Sequence, residues 1–341
     1  MSAVELDFRS RVQIAAWVVE RWPRSKQWRT RLNGQIDQRT DYGTAGYADR
    51  PARRFPRAMT RLDPAAAGNG QWPTMVIMQV DKVTEILRET AQAIILPRYR
   101  ALALGDVMEK SPGEVVTTAD REAEDLITCR LRGVLDAPVV GEEAVAANPR
   151  LIDALSAADT VWLVDPLDGT ANFVAGSPDY AVMAALVRNG HTVASWIVRP
   201  VCDRAYVAEH GAGAWRDGVR VSRVPASDDP ARLRGAVLTR FLTPAARTRV
   251  EGVASRFAAL EPGAQCSGVD YPRLVDGELD FVAFRRILPW DHAPGAFLLT
   301  EAGGVVRHFD HTTYRPTDTR PGLLTAAGAS CWQAVRSVLH L

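Results

Sequence analysis

Asp165 and Asp168 stand three residues apart in Val161-Trp162-Leu163-Val164-Asp165-Pro166-Leu167-Asp168-Gly169-Thr170. The apolar run reads as a short buried strand that ends at Asp165-Pro166, because proline fixes φ and donates no ladder hydrogen bond. Two carboxylates delivered into one tight turn repel each other, and one takes up a proton unless a cation sits between them. Gly169 permits close backbone approach, and the N–H groups of Gly169 and Thr170 suit an anion. The pattern points to a metal-and-phosphate site, with an acidic turn closed by an Asx cap as the alternative reading.

Three further acids are read at element ends: Asp120, Glu142 and Asp291. Hard divalent cations take carboxylate, carbonyl and water oxygens, which this set supplies. Taken singly, each acid is a cap or a solvated turn; together they are harder to dismiss. His292, beside Asp291 at a helix start, reads as a packing or capping residue. Thr117 and Thr118 read as turn formers, and His210-Gly211-Ala212-Gly213-Ala214 as a turn rather than a nucleotide loop.

The elements that must position these groups follow from periodicity. Helical spacing runs from Val80 to about Leu104 with a kink or break at Pro97, and again from about Ala119 to Leu135. Pro138 to Val140 is a short strand, and Leu151 to Ala158 a brief helix. Tyr180–Val187 and Thr192–Val198 flank Asn189-Gly190, a two-residue hairpin signal. A second pair covers Arg204–Ala208 and Ala214–Val221. Beyond residues 224–232 strand and helix alternate: Ala236–Thr239 extended, Ala245–Leu260 helical, Tyr271–Val275 helical and Leu279–Phe284 extended. A helix from Pro289 to Ala302 stops at Gly303-Gly304, and Leu323–Ala327 and Trp332–Leu339 give a last strand and helix. This suggests an α+β subdomain over 75–228 and an α/β subdomain over 229–341 sharing one cleft.

Composition bounds the rest. Of 341 residues 47% are apolar and 24% charged, with a formal net charge of +1 that argues neither for nor against nucleic acid. The four cysteines are scattered without a CxxC pair, which suits a reducing compartment, and the expected location is the cytoplasm. No apolar run approaches the roughly 18 residues a membrane span needs. Residues 1–74 differ, with 13 Lys and Arg against 7 Asp and Glu. They read as a disordered tail, a basic docking segment, or residues upstream of a start at Met75 or Met78.

Four pieces, in order, resemble the inositol monophosphatase family, in the superfamily with fructose-1,6-bisphosphatase and the bisphosphate nucleotidases. They are Val116-Thr117-Thr118-Ala119-Asp120, Gly141-Glu142-Glu143, Asp165 to Thr170 with Asn172-Phe173, and Trp290-Asp291-His292-Ala293-Pro294-Gly295 followed by Glu301-Ala302-Gly303-Gly304. The likeness covers roughly residues 78–341. It implies an α/β, layered α+β fold of alternating helix and sheet (αβαβα), and a phosphoric monoester hydrolase using two or three Mg²⁺ ions, with Mn²⁺ as a possible substitute. Glu142, Asp165 and the Leu167 carbonyl would bind the first ion. Asp165 would bridge to a second, held also by Asp168 and Asp291. Thr170, bonded to Asp120 and with Glu142 close by, would position and deprotonate the attacking water, and Gly169 and Thr170 N–H groups would hold phosphate. Lithium sensitivity and a homodimer are implied by analogy, with no nucleic-acid or membrane partner. Lys110 matches a family loop lysine.

The substrate side departs from the inositol-specific pattern, where an acid seven residues before the last metal aspartate contacts hydroxyls. Here that residue is Phe284, followed by Arg285-Arg286, and the arginines would favour a second anionic group. Asp270, in Cys266-Ser267-Gly268-Val269-Asp270, is expected to contact substrate hydroxyls or an amine. The expected substrate is a small phosphate ester: inositol 1-phosphate-like or another sugar, polyol or amino-alcohol phosphate. Histidinol phosphate, fructose 1,6-bisphosphate and 3′(2′),5′-bisphosphate nucleotides are alternatives. A haloacid-dehalogenase mechanism needs a nucleophilic Asp two residues before Asp168, where this chain has Pro166. A non-catalytic member, or a binder acting through the basic segment, is the reading of a different class.

Overall fold

Apolar spacing builds the outer helical layer first. The computed structural model describes residues 80–103, 105–111, 113–318 and 320–340, so the expectations for residues 1–74 and for starts at 75 and 78 lie outside the described residues. Helix α1 (Val80–Thr90) buries Val80, Val83, Ile86 and Leu87, a stripe at helical spacing. It then widens into a π turn (Ala91–Ile95), tightens into a 3₁₀ turn (Leu96–Arg98) and ends in extended Tyr99, short of the expected Leu104. Pro97 is the reason: its ring crowds the preceding turn and the widened segment makes room for it.

Strands β1 (Val107–Ser111) and β2 (Glu114–Thr117) form an antiparallel pair that leads into α2 (Thr118–Val134). Then come β3 (Val139–Gly141), α3 (Glu142–Ala147), the short α4 (Ala154–Ala157), β4 (Thr160–Asp168) and α5 (Thr170–Val174). Pro149 turns the first half of the expected 151–158 helix into 3₁₀. Strands β5 (Ala181–Arg188), β6 (His191–Arg199), β7 (Arg204–Glu209), β8 (Gly213–Arg216) and β9 (Val219–Val221) complete a seven-stranded sheet in order β3-β4-β5-β6-β7-β8-β9. Its first pair is parallel and the others antiparallel.

The second sheet has the order β11-β10-β12-β14-β13. It comprises β10 (Arg234–Val237), β11 (Ala259–Glu261), β12 (Phe281–Phe284), β13 (Val305–Arg307) and β14 (Leu323–Ala326), with α6 (Pro244–Val253), α7 (Ser267–Val275), α8 (Pro289–Glu301) and α9 (Ala329–Leu339) between and after them. The expected 245–260 helix therefore ends early. Ala259–Glu261 pairs in parallel with β10, because the sheet edge supplies ladder partners that outweigh local helical spacing.

Alternation along each strand sorts side chains into layers. Trp162, Val164, Val182 and Trp196 face α1 and α2. Met183, Ile197 and Tyr206, on the opposite face, meet α7 and α8, which also cover Val282 and Phe284 of the second sheet. Phe281 and Ala283 point the other way, onto α6 and α9. The expected αβαβα layering is present. Helix α8 lies between two sheets and is buried on most sides, so it carries no single apolar stripe. Among the described residues no helix is long and apolar enough to cross a membrane.

Strand β4 corrects one expectation. It does not end at Pro166 but continues to Asp168, with Asp165 opposite Met183 and Asp168 opposite Ala181. Three steps on β4 thus match two on β5, and the bulge falls at Pro166-Leu167, where proline's missing N–H is not needed by the ladder.

The glycine turn after β7 is a turn, as expected, with Gly211 and Gly213 at positive φ. Glu301 at the end of α8 accepts both their N–H groups, at 3.3 and 3.2 Å. Glu209 beside it is 5% exposed, and its Oε2 has no hydrogen-bond partner. Burial first, and then the Glu301 charge, push its pKa up to about 7. A carboxyl with a raised folded-state pKa stabilises the fold at low pH and loses that contribution as pH rises through about 7. Glu209→Gln is therefore expected to raise the melting temperature at pH 8 and leave it nearly unchanged at pH 5, as checked by calorimetry.

Candidate active site

Parallel pairing of β3 with β4 sets Gly141 beside Val164, so the next residues of both chains, Glu142 and Asp165, emerge together. Asp291 arrives from the first turn of α8. One oxygen from each of Glu142, Asp165 and Asp291 lies within 4.8 Å of the others. Asp168 stands at the edge of this trio: its Oδ2 accepts from Gly268 N–H at 2.6 Å, Ser267 Oγ at 2.9 Å and Cys266 Sγ at 3.2 Å. The start of α7 thus fixes the fourth acid.

These groups are costly as they stand. Burial raises the pKa of Asp165 well above the usual range, and the charges of Glu142, Asp168 and Asp291 raise it further. Burial lifts Glu142 to about 8 against the opposing pull of Lys110, and Asp291 to about 7 with Asp168 adding to it. Asp168 is raised by burial too, though its hydrogen bonds oppose this. Lys110 Nζ, 3.0 Å from Glu142 and 2.8 Å from Glu143, compensates only one side of the cluster. Four carboxylates around a cleft, Asp165 buried and Glu142, Asp168 and Asp291 half-buried, with Leu167 also lining it, form an all-oxygen donor set that fits a hard divalent cation.

One support, the Glu124–Gly141 contact, carries no signal in the sequence. Glu124 of α2 accepts Glu143 N–H at 2.8 Å and Ala144 N–H at 2.7 Å, holding the start of α3 and so the backbone of Glu142. A side chain at Gly141 would sit 2.4 Å from the Glu124 carboxyl carbon, so only glycine lets that carboxylate in. Gly169 has φ +85, and a Cβ there would lie 2.9 Å from the Asp179 carbonyl, so it too must be glycine.

Asp120 is 1% exposed. Its Oδ2 takes Thr117 N–H (2.9 Å) and the Thr117 hydroxyl (2.5 Å), closing a capping box on α2. Oδ1 is left for the Thr170 hydroxyl, 2.9 Å away, which also lies 3.0 Å from the Leu167 carbonyl. Burial outweighs these bonds and raises Asp120 to about 6. The Gly169 N–H also acts on the Asp168 carboxylate, lowering its pKa against the effect of burial.

On the substrate side Phe284 is buried, stacked on Tyr271 with ring centroids 5.1 Å apart. His292 is a packing residue, as expected. Its Nε2 lies 3.0 Å from the Arg286 carbonyl, which can only accept, so Nε2 carries the proton and Nδ1 accepts from Tyr271 Oη at 3.1 Å. Burial lowers its pKa to about 3, which keeps it neutral. Asp270 corrects an expectation: it is fully buried outside the cleft lining, with Oδ1 accepting Ala264 N–H at 2.8 Å. Asp270 is directed to the 262–265 loop, which it braces. Arg285 and Lys110 do line the cleft. So do Arg240, Phe241 and Gln265, which belong to none of the sequence motifs. The available signal was topological: loops leaving the carboxyl ends of parallel strands gather around ligand sites.

Residues 78–336 match the model described as the inositol monophosphatase family. A Thermotoga maritima protein named fructose-1,6-bisphosphatase/inositol-1-monophosphatase is 30% identical over 243 residues, covering 68% of this chain and 85% of that one. Pseudomonas aeruginosa Nus factor SuhB is 29% identical over 264 residues, 74% of this chain and 92% of that one. Among solved structures, a Thermotoga maritima IMPase superposes with a TM-score of 0.63 at 24% identity, covering 77% of this chain and 98% of that one. An inositol monophosphatase from Zymomonas mobilis gives a TM-score of 0.64 at 21% identity over 76% and 97%. At these identities the structural likeness is one of fold.

Proposed function

The chain belongs to the inositol monophosphatase family of phosphomonoester phosphatases, and from that premise we propose that it is a magnesium-dependent hydrolase of a small phosphorylated metabolite, acting by direct attack of water. The observation that carries this reading is the convergence of Glu142, Asp165 and Asp291 oxygens within 4.8 Å, at the end of a strand that also delivers Asp168. Glu142, Asp165, the Leu167 carbonyl, Asp168 and Asp291 would hold the magnesium, which when bound supplies a Lewis acid to phosphate oxygens and lowers the pKa of a bound water.

The chain's own residues do the rest. Thr170 Oγ accepts the proton of the attacking water and passes its own to Asp120 Oδ1. A carboxyl raised to about 6 is well matched to that role near neutral pH. The Thr170 N–H, at the start of α5, is the backbone donor for a phosphate oxygen. Lys110 orients Glu142 and adds positive charge at the mouth. A covalent route is disfavoured because Cys266, the cysteine in the cleft, is buried and its thiol pKa is pushed far up, first by burial and then by Asp168.

Phe284 cannot accept hydroxyl hydrogen bonds as an acid would, so a compact polyol gains little there. The test is phosphate release from para-nitrophenyl phosphate, inositol 1-phosphate, histidinol phosphate, fructose 1,6-bisphosphate and 3′-phosphoadenosine 5′-phosphate, with Mg²⁺ and with EDTA. Release is expected with Mg²⁺, at least about a hundredfold slower with EDTA, and without preference for inositol 1-phosphate. Undiminished turnover under chelation would refute the proposal.

A further inference from the structure

Asn172-Phe173 closes the motif that carries Asp165, Asp168 and Thr170, and the mechanism above uses neither residue. Helix α5 has five residues, too few to hold their place by helix formation alone. Phe173 anchors it in the core shared with α1 and α2, fully buried against Tyr180 with ring centroids 5.1 Å apart. Asn172 anchors it elsewhere. It is 4% exposed, and its Nδ2 donates both hydrogens to main-chain carbonyls, Asp179 at 2.7 Å and Ala264 at 2.8 Å. Asp179 belongs to the loop before β5, and Ala264 to the loop before α7, more than ninety residues away in sequence.

The Ala264 peptide is gripped on both sides, since its N–H donates to the buried Asp270 carboxylate at 2.8 Å. Gln265 follows at φ +60, a left-handed conformation that a non-glycine residue keeps only where its surroundings hold it. Cys266, Ser267 and Gly268 come next, and all three donate to Asp168 Oδ2. Two short segments, 168–172 and 264–268, are therefore clasped at both ends. Between the clasps they are in contact, for a Cβ on Gly169 would lie 3.1 Å from Cys266 Cβ. Thr170 is the central residue of the first segment. Resting on the phosphatase reading above, we propose that Asn172 is a positioning residue for hydrolysis, whose carboxamide sets the Thr170 hydroxyl and N–H against the acid cluster. A carboxamide suits the task because one nitrogen must donate to carbonyls on two different loops, and a carboxylate of the same shape donates nothing.

The test measures para-nitrophenyl phosphate hydrolysis in Mg²⁺ by Asn172→Ala, Thr170→Val and the double variant. Asn172→Ala should lower kcat by about tenfold to a hundredfold, as for a misplacement of about 1 Å, and change KM by less than about threefold. Because the effect runs through Thr170, adding Asn172→Ala to Thr170→Val should cost less than about threefold more. A purely structural role would instead lower kcat by the same factor in both backgrounds. The three bonds on Asp168 are untouched, so Mg²⁺ should still raise the melting temperature of Asn172→Ala. Should that variant be unfolded at the assay temperature, Asn172→Ser, which keeps one short donor, takes its place. Its smaller kcat loss should likewise vanish on Thr170→Val. A kcat within about threefold of wild type for Asn172→Ala, a loss that multiplies with that of Thr170→Val, or a lost Mg²⁺ shift would overturn the proposal. Any of these beside an active wild type sinks the positioning role alone, whereas a wild type without Mg²⁺-dependent hydrolysis sinks the phosphatase reading and this inference with it.

Discussion

Asp165→Asn is expected to lower kcat/KM by at least about a thousandfold, roughly 4 kcal/mol of barrier, while raising the melting temperature of the metal-free protein. The two effects have one cause. Asp165 is 1% exposed, and the charges of Glu142, Asp168 and Asp291 bear on it. Asparagine keeps the shape and the acceptor for Leu167 N–H, now 3.1 Å from Oδ1, but removes the central negative charge. Without metal that relieves repulsion. Because burial and neighbours raise the carboxyl's folded pKa, its contribution to stability is lost as pH rises above the ordinary carboxylate range, and the substitution should flatten that decline. With metal the same change removes the proposed central ligand, so Mg²⁺ should no longer raise the melting temperature. Kinetics and calorimetry with and without Mg²⁺ check both halves. Substantial turnover by the variant, or an intact Mg²⁺-dependent shift, would show that Asp165 is not the centre of the site.

That centre was legible because its residues sit in short motifs whose spacing is fixed by local geometry. A strand, a proline and a glycine that permits close backbone approach stand within ten consecutive residues, and parallel pairing with β3 supplies Glu142. The layer order was legible too, since alternation in β5 and β6 and the helical stripe of α1 each name a buried face. Long-range placement was not. Asp270 belongs to the same motif as Ser267, yet the turn of α7 sends Ser267 to Asp168 and Asp270 to the Ala264 amide. Arg240 and Phe241 follow a four-residue strand with no chemical pattern of their own, and only the arrangement of β10 beside β12 carries them to the cleft. Pro166 looks like a terminator in sequence because the missing N–H shows there and the gap the ladder leaves for it does not.

The second large effect is expected at the Thr170–Asp120 pair. Thr170→Val removes the hydroxyl that faces Asp120 Oδ1 at 2.9 Å, and kcat should fall by about a hundredfold to a thousandfold, the range for losing a positioned proton acceptor. Thr170→Ser keeps the hydroxyl and should keep most of the rate. Asp120→Asn should cost a similar factor. On the proposed proton path shared by both residues, the double variant should be little worse than either single one. Structural loss is separable, because the capping bonds to Thr117 lie on Asp120 Oδ2, away from the threonine, so Thr170→Val leaves the α2 cap intact. The pH profile supplies the distinguishing readout. With its carboxyl raised to about 6, Asp120 stops accepting protons below that pH, so wild-type kcat should fall along an acid limb near 6, and Asp120→Asn should lose the limb along with the rate. A Thr170→Val protein within about threefold of wild type, or an unchanged acid limb in Asp120→Asn, would move the proton acceptor elsewhere, with Glu142 the next group in reach of the cluster.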